Sequence, residues 1–171
     1  MNKMVFKILA LASFFFSIHA NANFKVGPTG GVGGYSFEKT LTQEERLCGL
    51  NIYHGNRINA IQLRICDKYN NVYFSEVFGS SKGTLSSVAF EQNEIIEQFT
   101  VRTVLVDGSP RVAELDIWTS LNNSYSWGGY VPDGYYQQFD LISGYEFSGV
   151  FGRRATELDA LGFIYRKRTV L

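Results

Sequence analysis

Glycine-rich segments recur at a fixed interval along this chain. Gly30, Gly79 and Gly128 are 49 residues apart, and each opens a glycine-rich stretch. Three intervals of this length nearly fill the sequence that follows the first 22 residues. Self-similarity at such a period is typical of one supersecondary unit that occurs several times. The sequence therefore predicts one domain built from three copies of the same unit.

A second feature repeats in step with the glycines, namely a turn that runs into a strand of alternating apolar residues. The predicted core faces of these strands are Ile61/Leu63/Ile65, Leu115/Ile117 and Leu161/Phe163/Tyr165. Asp159 lies on the same predicted face as the last set, and we expect it just before the start of that strand. No segment has a convincing helical stripe, and the 17 glycines and 15% aromatic content fit a chain of strands. The predicted fold class is all-β.

The first 22 residues have the pattern of a secretory signal peptide. Lys3 and Lys7 precede an apolar run that begins at Ile8, and Ala20-Asn21-Ala22 is a small-residue cleavage site. The run is shorter than the about 20 apolar residues that a membrane anchor needs. We therefore expect a signal peptide at residues 1–22, a mature domain at residues 23–171 without a membrane span, and a secreted, periplasmic or extracellular location.

The net charge of the mature chain bears on whether a nucleic acid could be its partner. Without Lys3 and Lys7 the chain has 14 basic and 16 acidic residues, a net charge of −2. Nucleic-acid binding relies on Lys and Arg that displace counterions from phosphates. No nucleic-acid partner is expected.

The two cysteines, Cys48 and Cys66, lie symmetrically about residue 57 in two predicted strands joined by a turn at residues 54–57. In an antiparallel hairpin they would face each other, which favours a disulfide in an oxidising compartment. Two free buried thiols are the alternative. A metal site is disfavoured, because two sulfurs and the one histidine left after cleavage supply too few ligands. No cofactor is expected.

Four motifs resemble a known family, the jacalin-related lectins. They are the segment Gly27 to Gly34 with Phe37 after it, the turn and strand 58–63, the strand 113–117, and the stretch 147–153 together with 158–162. The resemblance covers nearly all of the mature chain. It implies a jacalin-type lectin domain with the β-prism I fold, in which three four-stranded Greek-key sheets surround a pseudo-threefold axis.

The resemblance also implies a sugar site between the first glycine-rich segment and the last turn. Gly34 would offer a backbone N–H, Thr156 and Glu157 would offer two more, and Asp159 would accept from two sugar hydroxyls. Fixed donors that face a two-oxygen acceptor suit a neutral polyol, and glycine allows the backbone to approach a ligand closely. The alternatives are structural: Asp159 could cap its own turn, and Gly34 could serve only the tight turn.

This chain departs from the family pattern near the turn. Members usually have glycine at the position of Ala155, and Glu157 places a second negative charge near Asp159 where an apolar wall is expected. The other two repeats have Asn59 and Ala113 at the position of Asp159. We therefore predict a weaker second site at Asn59 and Gly83, and no site in the repeat that has alanine.

The class of sugar follows from the resemblance as well. Galactose-preferring members rely on a free amino terminus that proteolytic cleavage creates beside the glycine pair. Here residues 23–30 run uncut into that segment, so we expect glycans of mannose or glucose configuration as partners.

The sequence also bears on two other classes of function. Glycosidases need two carboxylates about 5 to 9 Å apart across a cleft, whereas Glu157 and Asp159 lie on one turn, and no serine nucleophile elbow is present. The chain is therefore predicted not to be an enzyme. A structural, toxin- or adhesin-associated interaction module without sugar binding is the alternative, and self-association into a homo-oligomer stays open. The aromatic residues of 125–130 and 135–136 could stack on sugars or pack in the core.

Overall fold

The computed structural model describes residues 23–129 and 131–168. In these ranges every regular element is a β-strand, so the predicted all-β class is confirmed. The expected signal peptide, residues 1–22, lies outside the described residues. Nowhere in the described part of the chain is there a helix long and apolar enough to cross a membrane.

Thirteen strands are found among the described residues. They are β1 (Phe24–Gly30), β2 (Tyr35–Thr40), β3 (Glu45–His54), β4 (Ile58–Asp67), β5 (Val72–Phe74), β6 (Phe78–Gly79), β7 (Thr84–Ala89), β8 (Ile96–Val106), β9 (Ser109–Thr119), β10 (Ser124–Gly128), β11 (Tyr135–Asp140), β12 (Tyr145–Arg154) and β13 (Leu158–Lys167).

The strands form three antiparallel sheets that share one core, the predicted β-prism. The first sheet has the order β1-β13-β12-β2 and therefore unites the two ends of the described chain. The second has the order β5-β4-β3-β7, and the third has the order β10-β9-β8-β11. In each sheet a long hairpin lies at the centre and shorter strands lie at both edges.

The second sheet departs from the predicted four strands because its edge is interrupted. β5 pairs with one end of β4 and β6 pairs with the other, which gives five strands. Between them, Ser75 donates its backbone N–H to the carbonyl of Leu63, and its Oγ accepts the N–H of Leu63. A side-chain oxygen thus takes the place of a backbone acceptor and breaks the regular ladder.

The three-repeat prediction is confirmed at the level of single residues. Gly30, Gly79 and Gly128 all have positive φ angles, of 138°, 121° and 96°. A Cβ atom at these positions would lie 2.2, 2.1 and 2.0 Å from the carbonyl oxygens of Asp159, Asn59 and Ala113. The three glycines therefore make the same close backbone approach in the three sheets, and residues 59, 113 and 159 are structural equivalents.

The predicted core faces are buried, with relative exposures of 2% or less. Phe99 of the third sheet stacks on Phe163 of the first with ring centroids 3.8 Å apart, and Phe37 of the first stacks on Phe78 of the second at 4.7 Å. Such contacts join the sheets across the core. The alternation of apolar residues predicts one core face for this strand, but in β13 Gly162 and Ile164 are buried as well. Strand β13 is an inner strand of its sheet, and Phe151 leaves no room for a side chain at Gly162.

Cys48 and Cys66 form the predicted disulfide, with Cα atoms 5.8 Å apart. They are not opposite residues of the hairpin, however, because Cys66 is in register with Arg46. A β-bulge between Leu47 and Gly49 makes Cys48 the extra residue of β3. The bulge shifts the register that symmetry about residue 57 had predicted, yet it leaves the two sulfurs within bonding reach.

Candidate functional site

Gly34 and Asp159 meet at one end of the first sheet. Gly34 ends the connection between β1 and β2 and has a φ of 63°. A Cβ atom there would lie 2.3 Å from the carbonyl oxygen of Arg154 and 2.3 Å from Oδ2 of Asp159. Only glycine fits this position, because both the backbone angle and the space exclude a side chain.

Asp159 is more enclosed than its sequence position indicated. It is the second residue of β13 rather than a residue ahead of the strand, and its relative exposure is 1%. Nη1 of Arg111 lies 2.9 Å from Oδ1 of Asp159, while Oδ2 is buried and has no hydrogen-bond partner among the described residues. A buried acceptor that the fold leaves unpaired is costly, and such a group is a candidate for binding a hydroxyl donor.

The turn between β12 and β13 brings Thr156 and Glu157 to the same end. Thr156 is exposed, and within the turn the N–H of Ala155 donates to the carbonyl of Glu157 at 3.0 Å. The side chain of Glu157 faces Arg57 in a two-point ion pair, with both N–O distances 2.6 Å. The hydrogen bonds from Arg57 hold the pKa of Glu157 below its ordinary value of 4.5, against the opposing effect of burial.

The expected repulsion between Glu157 and Asp159 is relieved by arginines of the other two sheets. Arg57 precedes β4 of the second sheet, and Arg111 lies in β9 of the third. Arg57, Arg111 and Glu157 each stand two residues before the equivalent positions 59, 113 and 159. We call these three residues together with Asp159 the axial cluster. It contains two positive and two negative charges.

Replacing Glu157 by Gln should make the free energy of unfolding less dependent on pH in the acid range. Because the pKa of Glu157 is lowered in the folded state, its stabilisation is present above the ordinary value of 4.5 and is lost as pH falls through the lowered value. In urea unfolding, we expect the difference in unfolding free energy between the parent and Glu157→Gln to be largest at neutral pH and to shrink in acid. Glu97→Gln, at an exposed position of β8, is the control. A difference that is constant with pH would contradict the assignment.

Arg153 braces the glycine segment against β12. Its Nε donates to the carbonyl of Gly33 and its Nη2 to the carbonyl of Gly34, both at 2.7 Å. Two apolar side chains of the same segment face solvent, Val32 at 90% and Tyr35 at 81% relative exposure. The sequence predicts no role for Arg153, Val32 and Tyr35, although Arg153 and Val32 lie within the motifs described above and Tyr35 directly follows one of them.

The second predicted pair, Asn59 and Gly83, has the same geometry in the second sheet. Gly83 has a φ of 89°, and a Cβ there would lie 2.5 Å from the carbonyl oxygen of His54 and 2.7 Å from Nδ2 of Asn59. Nδ2 of Asn59 donates to the carbonyl of Lys82 at 2.9 Å. The site therefore has the same frame as Gly34 and Asp159, with a neutral amide in place of the carboxylate. In the third sheet, Ala113 offers no side-chain acceptor.

The aromatic cluster is divided between the core and the surface. Trp127 is buried and stacks on Tyr125, which packs against Phe90. Tyr135 and Tyr136 are exposed. Core packing thus accounts for the first pair, and the second pair lies on β11 of the third sheet.

Comparison with known proteins supports this fold. The sequence matches the family model described as the Jacalin-like lectin domain over residues 26–164. The Malaysian banana lectin structure is 24% identical with a TM-score of 0.74, and the match covers 86% of this chain and 100% of that one. A mannose binding jacalin related lectin from Ananas comosus is 18% identical, with a TM-score of 0.73 and coverage of 85% and 99%. Artocarpin, in its complex with mannotriose, is 19% identical, with a TM-score of 0.73 and coverage of 84% and 97%.

Proposed function

Because the chain belongs to the jacalin-like lectin family, we propose that it is a secreted lectin that binds glycans of mannose or glucose configuration. The sugar would bind at the contact of Gly34, Thr156, Glu157 and Asp159. The family is one of carbohydrate-binding proteins without catalysis. Backbone N–H groups would donate to the sugar, and the carboxylate of Asp159 would accept from two of its hydroxyls.

One observation carries this proposal, the approach of Gly34 to Asp159. A glycine without room for a Cβ lies against a buried carboxylate whose Oδ2 has no partner in residues 23–129 and 131–168. A turn-capping aspartate would satisfy its oxygens within its own turn. Here Oδ1 of Asp159 pairs with Arg111, which belongs to another sheet.

The preference for mannose or glucose has two supports. Strand β1 pairs with β13 from Phe24 onwards and runs on into Gly31, whereas galactose-preferring members of the family are expected to have a free amino terminus beside the glycine pair. The Ananas comosus lectin is described as mannose binding, and artocarpin was solved with mannotriose. We propose a weaker second site at Asn59 and Gly83, since a neutral amide binds hydroxyl donors less strongly than a carboxylate does.

Secretion is part of the proposal. The pattern of residues 1–22 supports it, and so does the disulfide, because such bonds persist in oxidising compartments. Sequencing the amino terminus of the protein released by its natural host should give Asn23 as the first residue. Retention of Met1 in the released protein would count against cleavage after Ala22.

A glycan array probed with the chain from Asn23 onwards tests the function. We expect binding to spots that display terminal mannose or glucose and little binding to terminal galactose. A preference for galactose would sink the proposed specificity. Complete absence of binding would favour the alternative of an interaction module without a sugar site.

Replacing Gly34 by Ala should remove sugar binding, and Gly108 offers a matched control. Both glycines have left-handed backbone angles, with φ of 63° and 75°, so alanine costs about 1–2 kcal/mol at either position. At Gly108 nothing lies within 4 Å of the added Cβ, whereas at Gly34 the Cβ overlaps Arg154 and Asp159. Titration with methyl mannoside should show binding by Gly108→Ala and none by Gly34→Ala. Equal binding by the two variants would place the sugar elsewhere.

A further inference from the structure

The carboxylate of Asp159 is covered in this structure, so a ligand can reach it only if a neighbour moves. Its relative exposure is 1%, and Oδ2 is buried. Gly33 and Gly34 cover it from one side, since an added Cβ would lie 3.5 Å from Oδ1 at Gly33 and 2.3 Å from Oδ2 at Gly34. Arg111 covers Oδ1, with Nη1 at 2.9 Å.

Of the two covers, Arg111 is the one free to move. The glycine segment is fixed by both hydrogen bonds from Arg153. Arg111 is a long side chain that is 27% exposed, and in the part of the chain that the structure describes its Nη1 contacts Asp159 and the carbonyl of the adjacent Pro110, at 3.0 Å. Rotation of this side chain gives up the ion pair and the hydrogen bond to Pro110 but requires no movement of the backbone.

Arg111 also has a second carboxylate within electrostatic reach. Its positive charge contributes to the lowered pKa of Glu157, after the larger effect of Arg57. An arginine displaced from Asp159 would therefore keep an anionic neighbour at the axial cluster. This lowers the cost of uncovering Asp159.

We propose that Arg111 limits the saccharide affinity of this site by competing with the ligand for the carboxylate of Asp159. The inference rests on the proposed function and adds that Arg111 is a residue that determines the affinity of the site for its saccharide. A neutral sugar hydroxyl can donate a hydrogen bond to Oδ1 only when Arg111 has moved away from that oxygen. The mannoside affinity of the parent chain is then the intrinsic affinity reduced by the fraction of molecules in which Arg111 is away.

The first test needs no sugar. Carbodiimide coupling of an amine to exposed carboxylates, read by peptide mass spectrometry, should label Asp159 slowly in the parent and clearly faster in Arg111→Met. Arg102→Met is the matched control, because it removes an arginine from another partly buried ion pair, with Glu114 at 2.7 Å. It should leave the labelling of Asp159 unchanged. Equal labelling in the parent and Arg111→Met would overturn the role of Arg111 as a cover.

The second test is calorimetric titration with methyl mannoside. Arg111→Met should bind about tenfold more tightly than the parent, as expected when a close charge pair no longer competes. Arg111→Lys keeps the charge as a weaker point contact, so it should bind with intermediate affinity, and it serves if the methionine variant does not fold. Unchanged or weaker binding by both variants would overturn the proposal. One outcome separates the two proposals, namely labelling of Asp159 in Arg111→Met without saccharide binding by either protein. The proposed sugar site and the role of Arg111 in affinity would then both be wrong, while the labelling would still show that Arg111 covers Asp159.

Discussion

Replacing Asp159 by Ala is expected to abolish measurable binding of methyl mannoside. The carboxylate is the acceptor for two sugar hydroxyls in the proposed site, and its loss leaves those donors unpaired in a contact that excludes water. Such a loss costs about 1–3 kcal/mol, or roughly 5- to 150-fold in affinity. Single lectin sites are weak, so a loss of this size removes the signal. Isothermal titration of the parent and the variant measures it.

The controls separate binding from folding. Asp159→Asn keeps the shape and one acceptor and should retain part of the affinity, while Asp133→Ala changes an exposed aspartate outside the site and should bind as the parent does. Circular dichroism should be the same for all variants, because the backbone pairing of β13 with β1 and β12 does not involve the side chain of Asp159. Parent-like binding by Asp159→Ala would remove this residue from the site.

Removing the disulfide is expected to have the largest effect on stability. Cys48 and Cys66 are separated by 18 positions, and closing a loop of this size restricts the unfolded chain by about 3 kcal/mol on the loop-entropy account. For a domain of this length the melting temperature should fall by about 6–12 °C. The double variant Cys48→Ala/Cys66→Ala, compared with the parent by urea and thermal unfolding, measures the effect.

Sugar binding should survive this change in the folded protein. The disulfide lies at the end of the β3–β4 hairpin opposite the turn that carries Arg57. Titration well below the melting temperature should therefore give the parent's affinity. A double variant as stable as the parent would show that the hairpin is already held by its sheet and that the disulfide adds nothing.

Much of this fold could be predicted because its repeats are local in sequence. In each unit the turn and the alternating strand are contiguous, so the equivalence of Asn59, Ala113 and Asp159 is visible without a structure. The first sheet differs in that its glycine comes from β1, at the other end of the chain from its turn. The disulfide could be predicted for the same reason, since both cysteines lie on one hairpin. The bulge at Cys48 could not, because a bulge adds one residue to a strand without a fixed sequence signal.

The electrostatics of the site could not be predicted from the repeats taken one at a time. Arg57 and Arg111 act on carboxylates that belong to a different sheet. Such pairs form only where the three units converge. Arg57 and Glu157 are 100 positions apart in the sequence, and Arg111 and Asp159 are 48 positions apart. The sequence predicted which residues are equivalent, but not which of them would meet.

The central claim is that a mannose-type sugar binds between the first glycine segment and the last turn. Heteronuclear NMR of the chain from Asn23 onwards, titrated with methyl mannoside, tests it most directly because it observes the proposed donors themselves. The backbone amide signals of Gly34, Thr156 and Glu157 should shift saturably, while that of Gly108 should stay in place. Saturable shifts confined to other parts of the chain, or no shift at any mannoside concentration, would contradict the claim.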